Sequence, residues 1–422
     1  MNYRKDSLFN TIGTFAYLGA LWLMSVLSVR LGSFETAGYF SLAMTASNIY
    51  IAIASYTVRL YYAADIQGEF SDRQYFLMRG ITTTISFILC VVVSLLSGYS
   101  TYALTIVLVF YVFKVFEMMS DILYGAMQRQ GKLYIAGISM VIKSVIVLGL
   151  FILILAKSHE LLYAEIAIAI GAAAIFFFLD CLYCKRIGIS FLPKGKTDLS
   201  AAGKLMWICF PLLVVGIFYN LIPSLPRLCF EGMYSTEEYG IFSSLSTVTV
   251  LISTAVNCVT IPFIPRMSDC FERKERKGFL QSILLLLGLT VAVGGAARIL
   301  SAVAGEWFLT TLFGETIRNY MHIFNLIILS TVITSVVIIL NGVITAAKKQ
   351  LWLLIGNLPG LLVCLIFSTP FCQQYYMAGV CYVLILAQGL NMITLCILSG
   401  IIMNKMKKEP KGQPEEIKVE EK

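Results

Sequence analysis

Apolar runs long enough to cross a bilayer as helices recur along almost the whole of this 422-residue chain. About 20 residues suffice to span the ~30 Å hydrocarbon core as a helix. Inside that core the backbone must satisfy its own hydrogen bonds, so a spanning segment is a helix or part of a closed barrel. Charged residues make up only 13% of the chain and hydrophobic ones 58%, with mean hydropathy +0.82. Soluble domains carry roughly 25% charged residues. The chain is therefore an all-α integral membrane protein, with no stretch left over for a large soluble domain.

Hydropathy divides it into twelve helices, at 7–30, 38–64, 77–97, 102–127, 133–156, 160–184, 204–227, 238–264, 279–302, 319–346, 350–369 and 375–403. Around 298–316 an apolar run containing Glu306 and Gly314 reads either as a helix extension or as a short surface helix. The opening MNYRKDSLFN leads into a run longer than a signal-peptide core and lacks a small-residue cleavage site, so the first helix reads as a retained anchor. Of the 32 Lys and Arg residues, 24 fall in connections on the side of the termini, five on the other side and three inside spans. By the positive-inside rule both termini are expected in the cytoplasm. The net charge of +8 is thus a matter of topology, and no nucleic-acid partner is implied.

The eleven cysteines are scattered except for Cys181 and Cys184, and the chain has only two histidines, His159 and His322. No metal site and no cofactor are expected, and the C-x-x-C pair reads as packing. There is no nucleotide-binding motif and no loop long enough to build an active site, so an enzyme is not expected.

The chain repeats itself. ETAGYFSLAMT from Glu35 and EEYGIFSSLST from Glu237 align at an offset of 202 residues, matching Gly38, Phe40, Ser41 and Thr45 with Gly240, Phe242, Ser243 and Thr247. LYGAMQRQGK from Leu123 echoes LNGVITAAKK from Leu340. Each match falls at an equivalent place in a six-helix half. Because six is even, both halves cross in the same sense, which predicts parallel lobes around a central cavity with a binding site near the midplane. The expected division is an N-terminal lobe at 1–190, a cytoplasmic linker at 191–203, a C-terminal lobe at 204–403 and a disordered cytoplasmic tail at 404–422. The tail carries both charge signs and two prolines, with lysines placed to meet anionic headgroups of membrane lipids.

These segments also resemble a known family. RLGSFETAGYFSLA, the preceding TFAYLGALWLMSVLSVRLG and the later GAMQRQGKLY are similar to the corresponding stretches of Wzx-type polysaccharide flippases. That family lies within the multidrug, oligosaccharidyl-lipid and polysaccharide exporter superfamily. The resemblance implies a bacterial inner-membrane flippase that moves undecaprenyl-pyrophosphate-linked oligosaccharide to the outer leaflet for surface polysaccharide synthesis. It also implies an association with a polysaccharide polymerase complex. A cation-coupled drug exporter of the same superfamily and a lipid II flippase are the alternatives.

Ionisable residues inside spans point to function. Arg59, Lys114 and Lys143 all fall in the N-terminal half, with Arg30 at the far end of the first helix. Glu117 and Asp121 share a helix face with Lys114, three and seven residues on. Lys143 has no acidic residue within its own helix. An unpaired lysine at mid-membrane costs roughly 2.5 kcal/mol or more, a cost that a wet cavity or an anionic ligand offsets. Two lysines and arginines suit a slot for pyrophosphate, with Glu117 and Asp121 tuning its charge or taking part in coupling. Against this stands the plainer reading that Lys114 and Glu117 neutralise each other and Arg59 reaches to the interface. Pro211, Pro223 and Pro226 in the seventh helix and Pro359 in the eleventh mark candidate gates or hinges.

Overall fold

In a computed structural model, which describes residues 3–65, 68–189 and 199–408, the chain is a bundle of twelve units long and apolar enough to cross a membrane. The first half contains α1 (Tyr3–Leu31), α2 (Phe34–Ser55), α3 (Val58–Ala64), α4 (Asp72–Leu96), α5 (Thr101–Arg129) and α6 (Leu133–Ser158). It ends with α7 (Leu161–Ile175), a π-helical turn (Phe176–Asp180) and α8 (Cys181–Arg186). The second half contains α9 (Leu199–Glu231), α10 (Thr236–Glu272) and α11 (Arg276–Phe313), then a 3₁₀ turn (Glu315–Tyr320), α12 (Met321–Ala346), α13 (Gln350–Tyr375) and α14 (Met377–Lys408). Twelve crossings bring both ends of the described chain to one side, here termed the terminal side. The outer surface is made of bare aliphatic side chains, with Leu96 and Val303 each 81% exposed. Such a belt is stable only against lipid.

Helices of the first half pack mainly on one another, α1 against α6, α7 against α5 and α6, and α2 against α4 and α5. In the second half α13 packs on α14 and α9, and α12 on α10 and α14. One buried apolar cluster joins the halves on the far side, running from Phe40 and Phe110 to Tyr239 and Phe242. Toward the terminal side the cores separate, apart from Leu205, Cys209 and Leu213 of α9, which join the core of the first half.

The sequence repeat begins at the helix caps. Ser33 accepts from the Thr36 amide to start α2, and Ser235, at the same 202-residue offset, forms a capping box with Glu238 to start α10.

Five boundaries differ from the sequence expectation. The second span is broken, because Tyr56 and Thr57 both take left-handed backbone (φ 48° and 54°) between α2 and α3. The eighth continues to Glu272 with positions 262 and 265 inside the helix, since a proline removes one hydrogen bond without forbidding helical φ. The ninth runs on to Phe313, so the 298–316 segment is a helix extension followed by the 3₁₀ turn. Helix α9 begins at Leu199, inside the expected 191–203 linker, and α14 reaches Lys408, inside the expected tail. The rest of that linker and residues 409–422 lie outside the described residues.

Candidate functional site

Between the halves, a cavity of about 500 Å³ occupies the terminal half of the bundle. Thr57 and Tyr61 wall it from the first half, Tyr219 of α9 stands opposite, and Asn341, Thr345, Gln350 and Asn357 come from α12 and α13. Among the described residues, the polar groups on this lining are hydroxyls and amides, and none is a carboxylate. Asn357 donates to Asn341 Oδ1 at 2.9 Å, which holds two of the amides in place.

The break between α2 and α3 shapes the wall. Two consecutive non-glycine residues in left-handed conformation are costly, of order 1–3 kcal/mol each, and persist only where the surroundings enforce them. Here α4 supplies the enforcement. The Arg79 Nη1 and the Thr82 hydroxyl both donate to the Ala54 carbonyl at the break, at 2.8 and 2.9 Å. Arg79 of α4 is fully buried. Its other Nη meets Asp121 Oδ2 at 3.0 Å, and the second oxygen of Asp121 accepts from Arg59 at 2.8 Å. Asp121 thus bridges two guanidiniums. Arg59 and Asp121 are each about a quarter exposed, and Arg59 sits between the cavity residues Thr57 and Tyr61 in sequence.

Lys114 and Lys143 lie deeper, inside the first half. Lys114 Nζ is 2.7 Å from Glu117 Oε2 and 2.7 Å from the Tyr17 hydroxyl, which itself donates to Glu117 at 2.6 Å. Lys143 is not unpaired. Its ammonium donates to Ser120 at 2.7 Å and stands 3.6 Å from Asp180, whose carboxylate also accepts from Ser139 and Tyr124. Asp180 comes from the π-helical turn, where one extra residue in the turn rotates the buried stripe to Phe176, Asp180 and Cys184. Lys143 and Asp180 are both almost wholly buried.

On the far side the halves are pressed together. A Cβ on Gly38 would fall far inside 3.0 Å of the Thr236 carbonyl, and one on Gly240 would do the same to the Phe34 carbonyl. Thr45 and Tyr239 share a buried hydrogen bond of 2.9 Å across the same contact. Arg30 belongs to this seal and not to the cavity, since it donates to the Thr311 and Leu312 carbonyls in the last turn of α11. A cation on otherwise unsatisfied C-terminal carbonyls is favourable. The bundle is therefore closed on the far side and open between its halves toward the terminal side.

No family model matches the sequence. A curated relative, the capsular polysaccharide biosynthesis protein CapF of Staphylococcus aureus, is 25% identical over 383 residues, covering 88% of this chain and 93% of that one. An inward-facing multidrug resistance MATE transporter of the MOP superfamily matches with a TM-score of 0.69 at 12% identity, over 95% of this chain and 96% of that one. A mutant of the Vibrio cholerae MATE transporter VcmN matches at 0.64 and 15% identity, over 97% and 98%. The chain has the MOP transporter fold. The fold expected from the sequence resemblance is the one observed, and the chain is a multi-pass membrane protein.

Within the MOP fold, the sequence-derived residues separate into distinct places. Arg59 and Asp121 pair where α3 packs on α5, Lys114, Glu117 and Lys143 are inside the first half, and Arg30 is in the far seal. Pro211, Pro223 and Pro226 sit within a continuous α9, and Pro359 within α13. At that last position the Gly360 amide donates instead to the Asn391 side chain of α14, at 2.7 Å. Sequence reasoning missed Arg79, Asp180, Tyr17 and Tyr124. It also passed over Glu165, fully buried in α7 with neither carboxyl oxygen hydrogen-bonded among the described residues.

Proposed function

We propose that this protein is a flippase that moves undecaprenyl-pyrophosphate-linked oligosaccharide units from the cytoplasmic to the outer leaflet of a bacterial inner membrane, by alternating access. The terminal side is then cytoplasmic, and the structure corresponds to the state that loads cargo. One observation carries the reading. The open cavity offers neutral hydroxyls and amides with no carboxylate among its described lining residues, and the part-exposed Arg59 belongs to α3, the helix whose Tyr61 walls it. Hydroxyls and amides both donate and accept, which suits sugar hydroxyls. An exporter of cationic drugs needs a carboxylate on that surface. The named role of the capsular relative in polysaccharide biosynthesis supports the same cargo.

In this reading Arg59 is the cation that meets the pyrophosphate, exchanging Asp121 for a phosphate oxygen as a bidentate fork. Asp121 stays paired with Arg79 throughout. Lys114 and Lys143 act from behind, as charges whose partners are already in place. The N-terminal and C-terminal lobes, with boundaries near 190 and 204, rock about the far seal, and the prolines of α9 accommodate the bending. Deleting the protein from its native host tests this. Surface polysaccharide should fall away while the lipid-linked precursor accumulates on the cytoplasmic face. Normal polysaccharide together with raised sensitivity to cationic drugs would contradict it.

A further inference from the structure

The second half contains a hollow of its own, of about 160 Å³, between α9, α10, α12 and α14. It lies on the same face of α9 as the central cavity. Tyr219 lines the cavity and Pro223 and Arg227, one and two turns farther on, line the hollow. Helix α12 repeats the arrangement, with Asn341 at the cavity and Thr334 two turns away at the hollow. The hollow therefore continues the cavity toward the far seal.

The internal repeat explains why space exists there. The 217-residue offset that pairs Leu123 with Leu340 places Thr331 and Thr334 where the first half has Lys114 and Glu117. In the first half those long side chains close on Tyr17, and the void that Glu117 lines beside them is only about 10 Å³. Two threonines in their place leave the second half hollow.

The lining has a definite polarity. Ser246, Thr249, Ser330 and Thr334 each donate a proton to a carbonyl of their own helix, and Thr331 shares its proton between the Ile327 carbonyl and the Thr249 hydroxyl. Their oxygens are left to act as acceptors. Among the described residues Arg227 is the one charged residue on the lining, and its buried Nε has no hydrogen-bond partner among them. A bare anion meets too many acceptors here, and a metal cation meets the guanidinium. A ligand that fits brings hydroxyl donors for the serines and threonines and an anionic acceptor for Arg227. At ~30 Å³ per water, the hollow has the capacity of about five waters, which is room for one ring and not for a chain.

We propose that this hollow is a sugar subsite that takes one carboxylate-bearing monosaccharide of the cargo, with Arg227 on the carboxylate and the hydroxyl ring on the sugar hydroxyls. The proposal rests on the flippase reading and names the chemistry of its cargo.

Saturation-transfer NMR on the full-length protein in lipid nanodiscs tests it with methyl glucuronide and methyl glucoside as probes, while 31P line broadening follows inorganic pyrophosphate. Wild-type protein should bind the glucuronide at least tenfold tighter than the glucoside. Arg227→Met should remove that preference and Arg227→Lys should keep part of it. Thr331→Val with Thr334→Val, which preserves shape and removes two hydroxyls, should weaken both sugars. Pyrophosphate binding should be unchanged by these three variants and weakened by Arg59→Ala. Glucuronide binding that is absent from the wild type, or indifferent to Arg227→Met, would overturn the subsite. Loss of pyrophosphate binding in the wild type with glucuronide binding intact would instead contradict the lipid-linked cargo.

Discussion

Gly38 and Gly240, equivalent positions of the internal repeat, face each other across the far seal. A methyl on Gly240 would lie 2.9 Å from the Gly38 nitrogen and closer still to the Phe34 carbonyl, and a methyl on Gly38 would strike the Thr236 carbonyl. Phe34 and Thr236 are themselves related by the same offset. The seal is thus a two-fold contact between the starts of α2 and α10, made of backbone that cannot yield as a flexible side chain can. Gly240→Ala should pry it open. With a cysteine introduced at Ser243 in a cysteine-free background, an impermeant maleimide should label the Gly240→Ala protein several-fold faster than the parent, and transport should fall. Equal labelling rates would show that the seal tolerates the methyl group.

Lys143 and Asp180 make a second prediction, about stability. Removing one partner of a buried pair leaves an uncompensated charge, at about 3–5 kcal/mol, whereas replacing both with apolar groups is often neutral. Lys143→Met should therefore lower the melting temperature and the amount of protein in the membrane. Lys143→Met with Asp180→Leu should recover much of both. If the double variant is no more stable than the single one, the pairing through the π-helical turn is wrong.

The Lys114 and Glu117 pair, closed on itself with Tyr17, leads to a different expectation. Replacing both with methionine conserves net charge and approximate volume, so polysaccharide export in a deletion strain should remain near wild type at matched membrane abundance. Lys114→Met alone should be poorly tolerated because Glu117 is then buried without its cation. Export lost in the double variant at normal abundance would place Lys114 in direct contact with the cargo.

What the sequence made legible follows from which forces act locally. Twelve spans could be counted because burial in lipid is written as long apolar runs, and the Gly38 and Gly240 repeat was visible because the seal demands glycine at both places. The α2/α3 break was not visible. Tyr56 and Thr57 are poor residues for left-handed backbone, and what holds them is Arg79 and Thr82 from another helix. Asp180 was hidden because its partner Lys143 belongs to another helix, a pairing that spacing along one helix does not reveal. Arg79 and Arg227 stand near helix ends, where hydropathy cannot distinguish a connection from a buried turn.

The central claim is that Arg59, on the helix that walls a cavity with no carboxylate among its described lining residues, receives the pyrophosphate of a lipid-linked sugar. The most direct measurement is protein-dependent movement of a fluorescent undecaprenyl-pyrophosphate-linked sugar between the leaflets of proteoliposomes, compared among wild type, Arg59→Lys and Arg59→Ala at equal protein content. A charge-assisted hydrogen bond is worth about 1.5–3 kcal/mol, or roughly a 10- to 100-fold change. Wild-type protein should move the lipid, Arg59→Lys should retain part of the rate because it keeps the charge and loses the fork, and Arg59→Ala should be at least tenfold slower. No movement by the wild type, or an undiminished rate in Arg59→Ala, would contradict the account.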